Sequence, residues 1–128
     1  MDSEYRLFLG FREEPKGLCS LLARERFKFD GKESLRIQGV KVETRTYLFN
    51  GGLELNYHKG LPDVDFWNDL GLMGIVMQAV ISTGIANKEG LENQRRIGML
   101  LSETCNAVLY DPQQNQVIAG EKPVAMVG

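Results

Sequence analysis

Thr44-Arg45-Thr46-Tyr47-Leu48-Phe49-Asn50-Gly51-Gly52-Leu53-Glu54-Leu55-Asn56-Tyr57-His58 carries two alternating runs on either side of an Asn-Gly pair. A type I′ turn needs positive φ at both central positions, and Asn-Gly supplies it at little steric cost. Residues 35–58 therefore read as a long hairpin. With Asn50-Gly51 as a two-residue turn, Leu48 faces Leu53, Thr46 faces Leu55 and Thr44 faces Tyr57. The opposite face then pairs Tyr47 with Glu54, Arg45 with Asn56 and Glu43 with His58. Both strands agree on the apolar side, and this register is the preferred one. Gly52 allows a three-residue loop instead, which turns Phe49 and Tyr47 inward.

Outward from the hairpin, Tyr5, Leu7, Leu9 and Phe11 alternate with Glu4, Arg6, Phe8 and Gly10, as a half-buried strand does. Arg12-Glu13-Glu14-Pro15 opens a helix, because proline fits a first turn and carboxylates favour its positive end. Leu18, Leu21 and Leu22 form its buried face, and Asp30-Gly31 ends it. Downstream of the hairpin, Lys59–Leu70 is irregular. Ile75–Thr83 is β-branched and apolar on both sides, which predicts a strand near the centre of a sheet. Asn87 is a good N-cap for a helix whose stripe is Leu91, Gln94, Ile97, Leu101 and Cys105, widened by Leu100 and Thr104. Gly98 on that stripe lets the helix approach the sheet closely. Ala107–Tyr110 and Val117–Ala119 are short strands about a turn at Asp111-Pro112. The order β-α-β-β-β-α-β-β predicts an α+β fold, a two-layer sandwich with a mainly antiparallel sheet and two helices on one face. One domain spans 1–128, with 121–128 covering an edge or forming a loose tail.

The composition narrows function mainly by exclusion. Of 128 residues, 15 Lys+Arg stand against 17 Asp+Glu, which leaves no basic surplus for generic nucleic-acid binding. Hydrophobic content of 43% argues against disorder. Two cysteines make no disulfide framework, and Cys19 and Cys105 on helical patterns are expected as reduced, buried thiols. The first residues, Met1-Asp2-Ser3-Glu4, lack the basic and apolar regions of a secretory signal. Leu70–Ala86 is too short and polar to span a bilayer. A cytoplasmic protein without membrane contact is the expectation.

The loop Gly60–Asp69 holds Asp63, Asp65 and Asp69 around the only tryptophan, Trp67. Its carboxylates lack the alternate spacing, central Gly and terminal Glu of an EF-hand, so no metal is expected. Asp65 starting a short helical turn is the plain structural reading. The functional one is a partner-binding loop, in which an aromatic anchors a contact and carboxylates steer a basic partner. The hairpin face with Tyr47, Glu54 and His58 belongs to the same expected surface. His58 has no evident orienting group, and no serine lies in a nucleophile elbow, so neither catalysis nor a cofactor is expected.

Leu109-Tyr110-Asp111-Pro112-Gln113 is the most distinctive pentapeptide, and its local physics is that of a strand end entering a turn. An amphipathic helix, a short strand, this pentapeptide and then Gln116-Val117-Ile118 resemble the C-terminal part of small bacterial immunity proteins of polymorphic-toxin and contact-dependent inhibition systems. The resemblance covers residues 75–119 and implies a stoichiometric inhibitor of a cognate protein toxin. The alternative is a small-molecule-binding regulatory module, and a third reading is a hydrolase using Asp63, Asp65 or His58. A monomer and a homodimer formed by strand-edge pairing are both compatible with the sequence.

Overall fold

A computed structural model describes residues 4–49, 52–60 and 64–120. The elements are β1 (Glu4–Phe11), α1 (Leu18–Arg24), β2 (Lys28–Ile37), β3 (Val40–Phe49), β4 (Leu53–Lys59), α2 (Val64–Asp69), β5 (Met77–Gly84), α3 (Lys88–Cys105), β6 (Ala107–Asp111) and β7 (Gln116–Ala119). They build a seven-stranded antiparallel sheet in the order β2-β3-β4-β5-β1-β6-β7. The α+β class holds, with three helices and one more strand than expected.

β5 lies at the middle of the sheet, between β4 and β1, as its two-sided apolar pattern predicted. Its inward residues Ala79 and Ile81 meet Leu7, Leu9 and Phe11 of β1 and Leu53, Leu55 and Tyr57 of β4. α1 brings Leu18, Leu21 and Leu22 to this face, and α3 brings Ile97 and Leu101. These two helices thus share one side, which is the coarse sandwich expected. The α3 stripe is rotated slightly from the predicted one. Gln94, Ile97 and Leu101 are buried as expected and are joined by Gly90 and Ser102, whereas Cys105 is half-buried and Thr104 exposed.

Two local signals act as predicted. The Asn87 side chain accepts from the Gly90 amide at 2.9 Å, capping α3. At Gly98 a β-carbon would stand 2.9 Å from Leu109 Cδ1, so the helix seats on β6 only without one. Gln94 adds a polar pin, its amide donating to the Tyr5 carbonyl at 2.9 Å and the Ile81 carbonyl at 2.7 Å.

Three expectations are corrected. First, α1 begins at Leu18 and stops at Arg24, within a much shorter span than Arg12 to Asp30. Arg26 turns left-handed at φ 73°, and the Phe27 amide donates to the Leu22 carbonyl, the closure of a Schellman motif without its usual glycine. Second, the segment read as the end of that helix and the start of the hairpin is a full strand, β2. Its turn is Gln38-Gly39, where φ is 51° and 80°, the I′ signature expected instead at Asn50-Gly51. Third, β3 and β4 pair Phe49 with Leu53, Tyr47 with Leu55 and Thr44 with His58. This is the register of the three-residue loop, and it turns Tyr47 and Phe49 toward the helices. Burial decides it, since Tyr47 then joins Leu53, Leu55 and Tyr57 in one core. Asn50 and Gly51 themselves, like the tail 121–128, lie outside the described residues.

The third helix makes the fold more than two-layered. α2 lies on the side of the sheet away from α1 and α3, where Trp67, Leu72 and Ile75 pack on Val108 and Tyr110. Trp67 stands over Gly10, whose missing side chain leaves the indole ring about 3.1 Å from an added β-carbon. The patch is small. It covers β1, β6 and part of β5, reaches Val117 of β7, and leaves β2 uncovered.

Candidate protein-binding surface

Pairing places side chains of the sheet in rows, and the side facing α2 carries three that matter. One row runs Glu33, Thr44, His58, Gln78 from β2 to β5; the next runs Gly31, Thr46, Asn56, Val80; the third holds Leu48, Glu54 and Ser82. Thr46 donates to Asn56 at 2.7 Å, and Asn56 donates to Glu54 at 2.8 Å. Thr44 Oγ1 and His58 Nδ1 are 3.1 Å apart. Burial holds the His58 pKa below its ordinary value, which favours the neutral ring. Beyond these rows, Leu35, Ile37, Val40 and Val42 form an apolar cluster at the outer end of the hairpin β2–β3. Val42 is buried, whereas Leu35, Ile37 and Val40 are 38–47% exposed.

The predicted surface residues divide between this side and the core. Glu54 and His58 lie on it, half-buried, and α2 on the same side carries exposed Asp65 and Asp69. His58 is opposite Thr44 rather than solvent-facing opposite Glu43, a direct consequence of the one-residue register change. Trp67 is fully enclosed and donates from Nε1 to Gln78 at 3.0 Å, so it fastens α2 to the sheet instead of reaching a partner. Tyr47 is buried too, on the opposite face, with Phe29 against its ring. Desolvation, with Cys19 nearby, raises its pKa. Asp63 lies outside the described residues.

The helix-side face of the hairpin differs in chemistry. Pairing sets Lys32 beside Arg45 and Arg36 beside Lys41, with Lys59 next along from Glu43. Arg45 binds Glu43 at 2.6 Å and Lys59 binds Glu14 at 3.4 Å. Arg45, followed by Lys32 and Lys59, holds the Glu43 carboxyl below its ordinary pKa. The strip is therefore positive on a chain of net charge −2. Sequence reasoning missed this hairpin as a surface. Its signal was present: Glu33, Leu35 and Ile37 alternate with Lys32, Ser34 and Arg36 ahead of Gln38-Gly39.

The other features singled out in the sequence serve structure. Asp111 is buried and accepts from Tyr5 and from the Gln113 amide at 2.9 Å. The Gln113 side chain both donates to the Arg6 carbonyl (2.6 Å) and accepts from the Arg6 amide (3.0 Å), extending the β1 ladder where β6 ends. The Leu109–Gln113 pentapeptide is thus an internal clasp. Cys19 is exposed, contrary to expectation, because Leu18, Leu21 and Leu22 take the inner face of α1. Cys105 is half-buried, and desolvation raises its thiol pKa. A cleft of about 350 Å³ between the β1–α1 connection and the end of α3 is rimmed by Glu13, Glu14, Lys16 and Asn106, not an apolar enclosure. Among the described residues no group of three or more His, Cys, Asp or Glu could hold a metal ion, and no helix is long and apolar enough to cross a membrane.

No family model, curated protein or solved structure matches this chain.

Proposed function

We propose that this chain is a non-enzymatic binding protein of the immunity type, which neutralises a cognate bacterial protein toxin in the cytoplasm by one-to-one association. The observation that supports it is the outer end of the hairpin β2–β3, which holds Leu35, Ile37 and Val40 in solvent on one face. Contiguous exposed apolar side chains of this kind mark protein contacts more often than catalytic clefts. Glu54, Asp65 and Asp69 lie on the same side of the sheet, further in from the hairpin's outer end. The resemblance of residues 75–119 to immunity proteins supplies the partner class.

The test is a titration of the purified chain with the protein encoded by the adjacent gene, followed by calorimetry. A one-to-one complex that quenches the neighbour's toxicity is the expected result. Replacing Leu35→Asp and Val40→Asp together should weaken it by about tenfold or more, since each buried apolar contact contributes on the order of 1 kcal/mol. Binding unchanged by that pair, or a neighbour that does not associate, overturns the reading.

A further inference from the structure

We propose that the free edge of β2 receives an extended segment of the partner protein whose side chains alternate acidic and apolar. The proposal rests on the binding-protein reading above and specifies the chemistry of the contact.

β2 runs ten residues as the outer strand of the sheet, exposed along nearly its whole length. The two-residue turn at Gln38-Gly39 makes Ile37 and Val40 a hydrogen-bonded closing pair. Residues 31, 33, 35 and 37 therefore spend their amides and carbonyls on β3. Those of Lys32, Ser34 and Arg36 point outward, a row of donors and acceptors ready for another strand.

The two faces flanking this edge dictate what fits it. On the helix side stand Lys32 and Arg36, backed by Lys41 and Arg45 on β3. Arg36 also donates to the Gly39 carbonyl at 3.1 Å, which holds its guanidinium at the hairpin's end. On the other side stand Leu35 and Ile37. An incoming strand sets alternate side chains over these two faces, so carboxylates meet the cations while β-branched residues meet the apolar pair.

A second copy fits less well. Antiparallel pairing of β2 with itself about Lys32, Glu33 or Ser34 sets Lys32 on Lys32, Glu33 on Glu33 or Lys32 on Arg36, and pairing about Leu35 leaves Arg36 opposite Ser34 and Lys32 opposite Gln38 with no carboxylate for either. A nucleic acid would use only the cationic face and leave Leu35 and Ile37 uncovered.

The experiment titrates the full chain with a fluorescent peptide of β2's own length alternating Glu and Val. The comparison probes are a Lys/Val alternation, the same Glu/Val composition arranged in two blocks, and a single-stranded DNA oligonucleotide. The alternating Glu/Val peptide should bind at least about tenfold more tightly than any of the three. Lys32→Glu with Arg36→Glu should reverse the preference toward the Lys/Val peptide. Ser34→Pro, which removes an outward amide and no β3 bond, should abolish binding, whereas Ser34→Ala should not. Equal binding of the blocked peptide, preference for DNA, or indifference to both the charge reversal and Ser34→Pro overturns the proposal. Loss of the peptide with retained binding of the neighbour-encoded protein breaks only this inference; the converse breaks only the immunity reading.

Discussion

The inner strands β1, β4, β5 and β6 and the outlying hairpin β2–β3 are parts of one hydrogen-bonded sheet, yet they obey different rules. In the inner strands Leu9, Leu55, Ile81 and Leu109 are fully enclosed beneath helices. In β2 almost every residue is exposed, because neither face has a helix against it. Backbone pairing alone therefore sets where β2 runs, while burial sets what the inner strands, and Tyr47 of β3 beside them, must contain. A region held by its ladder is free to carry charge and apolar side chains for another purpose.

The sharpest break of this comparison is a pair of truncations. Ile81→Ala should cost about 2–5 kcal/mol in chemical denaturation, because it opens a cavity in enclosed packing. Leu35→Ala should stay within about 0.5 kcal/mol of wild type. A large loss at Leu35 would mean that the hairpin is itself part of the core. Next in size is Gln94→Leu, expected to lose about 1–3 kcal/mol by leaving the Tyr5 and Ile81 carbonyls without their donor. A neutral outcome would show that the pin between α3 and the inner strands is dispensable. Asn87→Ala should cost about 1 kcal/mol, read from the shift in thermal midpoint, through loss of the α3 cap.

The smallest expected effect lies at the border between the two regions. His58 has a folded pKa below the ordinary 6.5, so the unfolded chain binds its proton first as pH falls. Its contribution is thus fully present above that value and declines as pH drops from 6.5 toward the lowered folded pKa. His58→Gln should remove this part of the pH dependence in denaturation curves collected at closely spaced pH values. An unchanged slope would place His58 in water, with the bare hairpin rather than with the inner strands.

Legibility in the sequence followed the same division. The alternation of Leu7, Leu9 and Phe11, the two-sided run ending at Thr83 and the Asn87 cap were readable because burial and capping impose residue types locally. β2 was missed in part although Leu35 and Ile37 alternate with Ser34 and Arg36, since neither of its faces is covered and no buried row marks it as a strand. Its turn, Gln38-Gly39, uses a residue less common at positive φ than Asn or Asp. On the side facing α2, Asp65 and Asp69 are exposed and Glu54 is half-buried. Trp67 and Tyr47 were read as anchors, but aromatic rings beside carboxylates look alike in sequence whether they meet a partner or a core.

The sequence by itself determined the α+β class, the order of most elements, the central place of β5 and the α3 cap. Each rests on interactions between near neighbours or on a periodic demand for burial. Only the tertiary structure decided the register of β3 on β4, the side of the sheet that α2 takes and the enclosure of Trp67. Those choices depend on which distant surfaces compete for the same apolar side chains, as Gly10 does in giving the indole its seat. The two-sided chemistry of β2 belongs to both levels. Its alternation is written in the chain, but that it stands uncovered at the edge follows from where the helices pack.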